Sequence, residues 1–444
     1  MAGEEAAVPM FKRSAVQIPG PRGGIFADHL EAYEANPATF LEECRQRYGD
    51  VFRFDTDVVV VTEPAVINTV LVHTNRDNVP NANPLHGGRF PTPEQTRQWM
   101  RTRQVALPVL KPASLPSRLP SVSRTVAADL RALEGAWFDP AERAWRICVS
   151  ALLPLYFPEP PPELTDALLT AFVEGRRAGQ AGIRIPSWWP SRLRRRVQAA
   201  DQRIRDQIAP LLTRDPPGAD GLPGTLLEHI LDRPEPVPAD VAQAALGITV
   251  LGAIGTMGGA WCWLLYHLAA HPEAFERIRA EVAAAAPHEL GAHPERALPY
   301  TQAFVHEVLR VHPPAWLLGR DAITSVTLGD LEVPAGTAIM FSPYLLHHDA
   351  RWWDEPERFD PGRWLRAGPQ HAPGAYLPFA AGPRGCLGTH LGMAILLLTA
   401  AHLTTDFHLE TSDLDQVSAD FGPTLIPTAM SCRLTARSGT AERP

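Results

Sequence analysis

From Val241 to Pro272 the chain runs 32 residues without a single Asp, Glu, Lys or Arg. Nothing else in the sequence restricts the possible folds so tightly. Such a stretch is either a membrane span or a helix buried at the centre of a large domain, because ~18 apolar residues already suffice to cross a bilayer. Burial is favoured. Gln243, Thr249, Thr256 and His267 interrupt the run, as do Gly247, Gly252, Gly255, Gly258 and Gly259. No second span follows, and the flanks lack the arginine asymmetry that sets membrane topology. At ~1.5 Å per residue a helix of this length reaches roughly 48 Å, the width of a large globular domain. The expectation is a central core helix and no membrane anchor.

The rest of the pattern predicts a mainly α fold with a small β region. An amphipathic stretch covers His29–Tyr48, and Asp50–Phe54 with Val58–Thr62 read as a β-hairpin. A helix is expected from Glu94 to Leu107, opened after Pro93 and stopped at Pro108, with Trp99 and Arg103 one turn apart. Further helices are expected over Glu273–Ala286 and Tyr300–Val311, and from near Cys386 to about Leu403. Short strands are expected at Val326–Leu328, Leu331–Val333 and Ala338–Ser342. Arg192–Arg205 carries six arginines against Asp201 and reads as a solvated helix face, with Trp188–Trp189 just before it. Residues 1–17 are expected to be a flexible N-terminus ahead of a single domain, 18–444. Glu4, Glu5, Lys12 and Arg13 interrupt that terminus, so no secretory signal is read there.

Charge and cysteine content narrow the function. With 41 basic against 49 acidic residues the net charge is −8, which argues against nucleic acid as a partner. Five scattered cysteines are too few for a disulfide framework and imply reduced thiols in the cytoplasm. There is no phosphate-binding loop, nucleophile elbow, H-E-x-x-H or paired C-x-x-C. His347, His348 and Asp349 read as a packed turn. Cys386 differs. It lies in Phe379-Ala-Ala-Gly382-Pro-Arg384-Gly385-Cys386-Leu387-Gly388, a glycine-rich loop feeding a helix. There, unpaired N–H groups and the positive helix end favour a thiolate. The glycines allow close approach to something flat, and Arg384 offers a fork for a carboxylate.

This decapeptide matches the F-x-x-G-x-R-x-C-x-G signature of the cytochrome P-450 superfamily at every fixed position. Glu307-Val-Leu-Arg310 resembles the family's E-x-x-R, and Pro356-Glu357-Arg358-Phe359 its P-E-R-F segment. Trp99-x-x-x-Arg103 resembles a further family motif, and the resemblance runs from about Ile18 to Arg433. It implies the cytochrome P-450 fold, with the long helix crossing over a haem b whose iron is ligated by Cys386. Phe379 and Gly388 flank the ligand, and Trp99, Arg103, Arg320 and Arg384 are expected to meet the haem propionates. Glu307, Arg310 and Arg358 would form a buried structural network. In the long helix the family reads [AG]-G-x-[DE]-T, an acid and an alcohol that relay protons. Here Thr256 keeps the alcohol, but Gly255 replaces the acid and leaves room for a water or a substrate group.

The resemblance implies a monooxygenase acting on a hydrophobic small molecule, a terpenoid or an aromatic or indolic natural product. Oxidative coupling without oxygen insertion is the alternative, and a haem-based sensor or carrier a distant third. The pocket would draw on Leu251, Ala253, Gly255, Thr256, Ala315, Trp316, Leu317, Leu318, Leu425 and Ile426. Only 58 residues follow Cys386, so electrons are expected from a separate ferredoxin and ferredoxin reductase. A monomer resembling bacterial secondary-metabolism members is anticipated.

Overall fold

Proline sets where most helices begin. In the computed structural model, which describes residues 18–21, 29–80, 92–180, 191–213, 224–368 and 370–437, ten of the sixteen described α-helices carry proline at one of their first two positions. Its missing N–H costs nothing there and its fixed φ suits the helix. In chain order the helices are α1 (His29–Ala35), α2 (Pro37–Tyr48), α3 (Pro64–Val72), α4 (Pro93–Leu110), α5 (Leu119–Arg131), α6 (Pro140–Tyr156), α7 (Leu164–Gln180) and α8 (Arg192–Ile208). Then follow α9 (Leu226–Leu231), α10 (Ala239–Ala270), α11 (Pro272–Ala284), α12 (Pro287–Ala292), α13 (Pro294–Ala297), α14 (Pro299–Val311), α15 (Pro343–His347) and α16 (Thr389–Asp406).

The β structure is small. Strands β1 (Val51–Asp55), β2 (Val58–Val61), β3 (Asn78–Pro80), β5 (Leu318–Ala322) and β8 (Ala338–Phe341) form one sheet in the order β1-β2-β8-β5-β3. β2 and β8 pair in parallel and the other neighbours antiparallel. β4 (Trp137–Phe138), β12 (Cys432–Ala436) and β9 (Phe407–Thr411) make a second sheet. β6 (Val326–Leu328) with β7 (Leu331–Val333), and β10 (Ser418–Phe421) with β11 (Leu425–Thr428), are hairpins.

Two boundaries differ from the sequence reading. The stretch His29–Tyr48 is broken at Asn36, whose side-chain oxygen accepts the Thr39 N–H at 3.1 Å and starts α2 afresh ahead of Pro37. Helix α4 runs through Pro108 to Leu110. A proline in the last turn forfeits one hydrogen bond, and Val105, Ala106, Val109 and Leu110 are buried across it. The six-arginine helix α8 packs through Ala200, Ile204 and Ile208, while Arg192, Arg195, Arg196 and Arg203 are exposed. Residues 1–17 and Trp188–Trp189 lie outside the described residues.

The charge-free segment is α10, and it packs against α4, α6, α7, α14, α16 and β11. By length and composition it is the one described helix able to cross a membrane, yet 67% of its most apolar window is buried inside the protein. Trp261, Cys262, Trp263, Leu264 and Leu265 are among the least exposed side chains.

Buried histidines couple this core to pH. His267 Nε2 meets His312 Nδ1 at 3.0 Å, and the His312 ring stacks on Trp263 at 3.5 Å. Burial holds His267, His312 and His347 well below the ordinary imidazole value of 6.5, and His306 down to about 4. Groups depressed on folding take up protons more readily in the unfolded chain, so their stabilisation is complete above about 6.5 and shrinks as pH falls toward 4. We expect the melting temperature to be flat from pH 8 to 7 and to drop steeply below pH 6. A flat profile down to pH 5 in differential scanning calorimetry contradicts this.

Candidate active site

The loop Phe379–Gly388 is closed by the Cys386 N–H, which donates to the Phe379 carbonyl at 2.9 Å. It places Cys386 just ahead of Gly388, the N-cap of α16. Gly382 sits at φ 73°, and a Cβ there would stand 2.2 Å from the Leu71 carbonyl in α3. Packing against α3 by itself requires glycine at this point. Cys386 is exposed, whereas the other four cysteines are buried. Desolvation by the surrounding loop pushes its thiol up, against the pull of the Gly388 N–H, the Thr389 side chain and the Arg103 charge. The groups expected to favour a thiolate are thus present around the sulfur.

Three guanidinium groups converge beside this loop. Arg103 on α4 donates from Nη2 to the Gly385 carbonyl at 2.6 Å. Arg320 on β5 is buried and donates to Thr74 Oγ1 at 3.0 Å and to the Gly319 carbonyl at 2.9 Å. Arg384 donates from Nε to Asn75 Oδ1 at 2.9 Å and lies over the Trp99 ring at 3.9 Å. Burial, then the charges of Arg103 and Arg320, lower Arg384 to about 10. Its Nη1 and Nη2 are buried without a partner. A cation with two orphaned donors, crowded by two more cations, is suited to a ligand bearing two carboxylates. The donor set therefore fits the propionates of a haem.

Behind the loop lies a buried ion cluster. Glu307 and Arg310 on α14 are both 0% exposed and paired through two hydrogen bonds of 2.9 Å. Glu307 also accepts from Arg363 Nε at 3.0 Å, Trp364 Nε1 at 2.9 Å and the Asp360 N–H at 2.8 Å. The third member is thus Arg363, 3% exposed, and not Arg358 as the sequence suggested. Arg358 is 61% exposed and pairs with Glu355. Only its main chain takes part, its carbonyl accepting from Arg310 and Arg363. The 3₁₀ turn Pro361–Leu365 carries Arg363 inward. His347 braces the same region: its Nε2 accepts the Leu377 N–H at 2.9 Å and its Nδ1 lies 3.0 Å from the Arg310 carbonyl. Among the described residues no group of His, Cys, Asp or Glu is placed to bind a metal ion.

Halfway along α10, Gly252 and Thr256 are exposed and Leu251 and Ala253 half-buried. Ile248, one turn earlier on the same face, is exposed as well, so a largely buried helix is uncovered along one face at its middle. Thr256 Oγ1 donates to the Ala253 carbonyl at a long 3.4 Å, so the hydroxyl is weakly held. Ala315, Leu317 and Leu318 are half-buried. Trp316, Leu425 and Ile426, also expected in the lining, are buried. Trp316 Nε1 donates to the Gly422 carbonyl at 2.7 Å, and the Leu425 carbonyl accepts from Trp263 at 3.1 Å. These contacts fix the β10–β11 hairpin.

Gly255 faces elsewhere. A Cβ on it would lie 2.9 Å from Thr424 Oγ1 and 3.1 Å from the Phe172 ring. The room expected beside it for a water or substrate group is already filled by α7 and the hairpin turn. Asn75, Thr424, Phe172 and Arg363 were absent from the sequence reading. Only the Arg363-Trp364 pair, close behind the P-E-R-F segment, carried any local signal.

The cytochrome P-450 family profile matches residues 18–429. Thromboxane-A synthase of Mus musculus is 37% identical over 163 residues, 35% of this chain and 30% of that enzyme. Cyclooctat-9-en-7-ol 5-monooxygenase of Streptomyces melanosporofaciens is 28% identical over 326 residues, 68% of this chain and 69% of that enzyme. Matches to the mouse, rat and pig thromboxane-A synthases span only 30–38% of their lengths. The solved structure of retinoic acid bound cyanobacterial CYP120A1 shares the fold, with a TM-score of 0.78, 20% identity, and 95% of this chain and 100% of that chain covered.

Proposed function

The chain belongs to the cytochrome P-450 family, and from that premise we propose that it is a haem-thiolate monooxygenase inserting one atom of O₂ into a hydrophobic small molecule. The observation that carries this reading is the meeting of Cys386 with Arg103, Arg320 and Arg384, two of whose donor atoms are buried and unpaired. In it, Cys386 ligates the haem iron, Phe379 and Gly388 flank the ligand, and Trp99, Arg103, Arg320 and Arg384 hold the propionates. Residues from 18 onward act as one haem domain, in a monomer.

When bound, the haem supplies the activation of O₂, with electrons delivered by a separate ferredoxin and its reductase. The polypeptide does the rest. The open face at Gly252, Ala253 and Thr256 receives the substrate, with Leu251, Ala315, Leu317 and Leu318 adding apolar surface. The loosely held Thr256 hydroxyl orients a proton-bearing water toward that space. No carboxylate stands at 255 to share the task. Cyclooctat-9-en-7-ol and retinoic acid, the compounds named for two of the similar proteins, are both largely hydrocarbon, one bearing a hydroxyl and the other a carboxyl group. That supports a terpenoid substrate.

Turnover with ferredoxin, ferredoxin reductase and isotopically labelled O₂ is expected to place one labelled atom in the product. An unlabelled product lacking two hydrogens overturns the reading in favour of oxidative coupling. A rate with peroxide alone equal to that with the redox proteins removes the ferredoxin from it.

Thr256→Ala is expected to keep substrate affinity within about twofold while half or more of the consumed reducing equivalents emerge as hydrogen peroxide. Fully coupled turnover in this variant contradicts the role given to the hydroxyl. Gly255→Glu does not restore a relay. Its side chain collides with Thr424 and Phe172, so the variant is expected to lose about 1–3 kcal/mol of stability without a gain in rate. An unchanged melting temperature with faster turnover contradicts that.

A further inference from the structure

Helix α8 carries its charges in an order that folding alone disfavours. Its first turn contains no acid, so Arg192, Arg195 and Arg196 crowd the positive end of the helix dipole. At about 100° per residue, Arg192, Arg195, Arg196 and Arg203 fall within an arc of roughly 100°, along some 16 Å of the helix. All four are exposed, and none is paired with an acid among the described residues. The acids of the same helix are already engaged. Asp201 pairs with Arg205, and Asp206, which borders the stripe at its C-terminal end, accepts from Gln202 Nε2 at 2.8 Å. Ala200, Ile204 and Ile208 lie on another side and are buried.

The chain as a whole is acidic, 49 residues against 41 basic, so this one-signed stripe is a local concentration against the overall balance. A protein partner would draw its affinity from an aromatic or aliphatic centre ringed by polar groups. The other exposed residues beside the stripe, Ala199 and Gln202, supply no such centre. Insertion into an apolar phase is also closed to α8, because its apolar edge is spent inside the protein. Ile204 Cγ2 stands 3.0 Å, and Ile208 Cδ1 3.6 Å, from where a Cβ on Gly247 of α10 would be. What remains is charge alone, presented in a line by planar guanidinium groups that suit phosphate oxygens.

We propose that α8 lays this arginine stripe on the phosphate head groups of an anionic lipid bilayer and holds the protein there reversibly, at the surface and without insertion. The helix involved flanks the substrate-receiving region: Gly247, on which it seats, directly precedes Ile248 at the start of the uncovered face of α10. A bilayer is also where hydrophobic molecules collect. The proposal stands on the exposed helix and needs no turnover, so it goes beyond the monooxygenase reading without resting on it.

The test uses the full haem-loaded chain, sedimented with vesicles of phosphatidylcholine alone or mixed about equally with phosphatidylglycerol. Salt is set at ~0.01 M and ~1 M, where the screening length is about 30 and 3 Å. At low salt the mixed vesicles are expected to bind the protein about tenfold or more tightly than the neutral ones, and at high salt the difference disappears. Each arginine at an anionic surface contributes about fivefold, so Arg195→Gln combined with Arg196→Gln is expected to weaken binding about 25-fold. Lysine at both positions keeps the charge and is expected to keep binding within about twofold. Arg124→Gln on α5 removes an equally exposed charge elsewhere and is expected to change binding less than about twofold. Equal binding to both kinds of vesicle, binding that survives high salt, or an equal loss in Arg124→Gln overturns the proposal. Loss in the lysine variant overturns it as well, since charge would then not be what binds. Capture by poly-glutamate without binding to the mixed vesicles assigns the stripe to an acidic protein and overturns it too. None of these outcomes alters the monooxygenase reading, which turnover tests separately.

Discussion

Replacing Cys386 with alanine is expected to abolish the long-wavelength carbon monoxide difference band of the reduced protein while leaving its fold intact. The thiol is exposed at the end of its loop, and the loop is closed by main-chain atoms, the Cys386 N–H and the Phe379 carbonyl, which alanine retains. The melting temperature of the haem-free protein is therefore expected to change by no more than about 0.5 kcal/mol equivalent, while the spectroscopic signal is lost completely. Survival of the band in the variant means that another residue is the ligand. The two alternatives by residue type are poorly placed for it. His402 is engaged at both ring nitrogens, with Ser123 Oγ at 2.9 Å and Asp406 Oδ2 at 3.1 Å. Cys262 is fully buried within α10.

The second large effect separates two arginines that look equivalent on paper. Glu307→Ala leaves Arg310 and Arg363 as buried, unneutralised cations, and Arg363→Ala strips Glu307 of one of its charged partners. Each is expected to cost about 3–5 kcal/mol, enough to unfold a marginal domain or to lower the yield of haem-loaded protein severely. Arg358→Ala removes only an exposed pair with Glu355 and is expected to cost less than about 0.5 kcal/mol. Thermal denaturation of the three variants side by side checks this. A variant at 358 as damaged as the one at 363 contradicts the assignment.

That contrast marks how far the sequence was legible. The central helix was readable because 32 residues without a charge admit few fates, and the Glu307–Arg310 pair only through its resemblance to the family's E-x-x-R ahead of the cysteine motif, since a spacing of three fits any helix salt bridge. The cysteine loop was readable from its fixed pattern of glycines and arginine. The third member of the ion cluster was not, because Arg358 and Arg363 both follow the helix at plausible distances. What decides between them is the turn at Pro361–Leu365, which points one side chain in and leaves the other out. The filling beside Gly255 was hidden for a different reason. Phe172 and Thr424 arrive from segments far away in sequence, and no local periodicity announces such a meeting. Likewise the partner of Arg384, Asn75, sits at φ 77° in a turn after α3, a backbone state that pattern reading does not see.

The way Arg310 and Arg363 grip their neighbours has a consequence for how this region can change over time. Arg310 donates to the carbonyls of His347, Pro356 and Arg358, and Arg363 to those of Asp354, Glu355 and Arg358. Every one of these handholds is main chain, present whatever side chain the residue bears. The segment from 354 to 358 is thus held in register without reference to its own spelling. Its surface is open to drift, and relatives can rewrite the charges displayed there while the frame behind the cysteine loop stays in place.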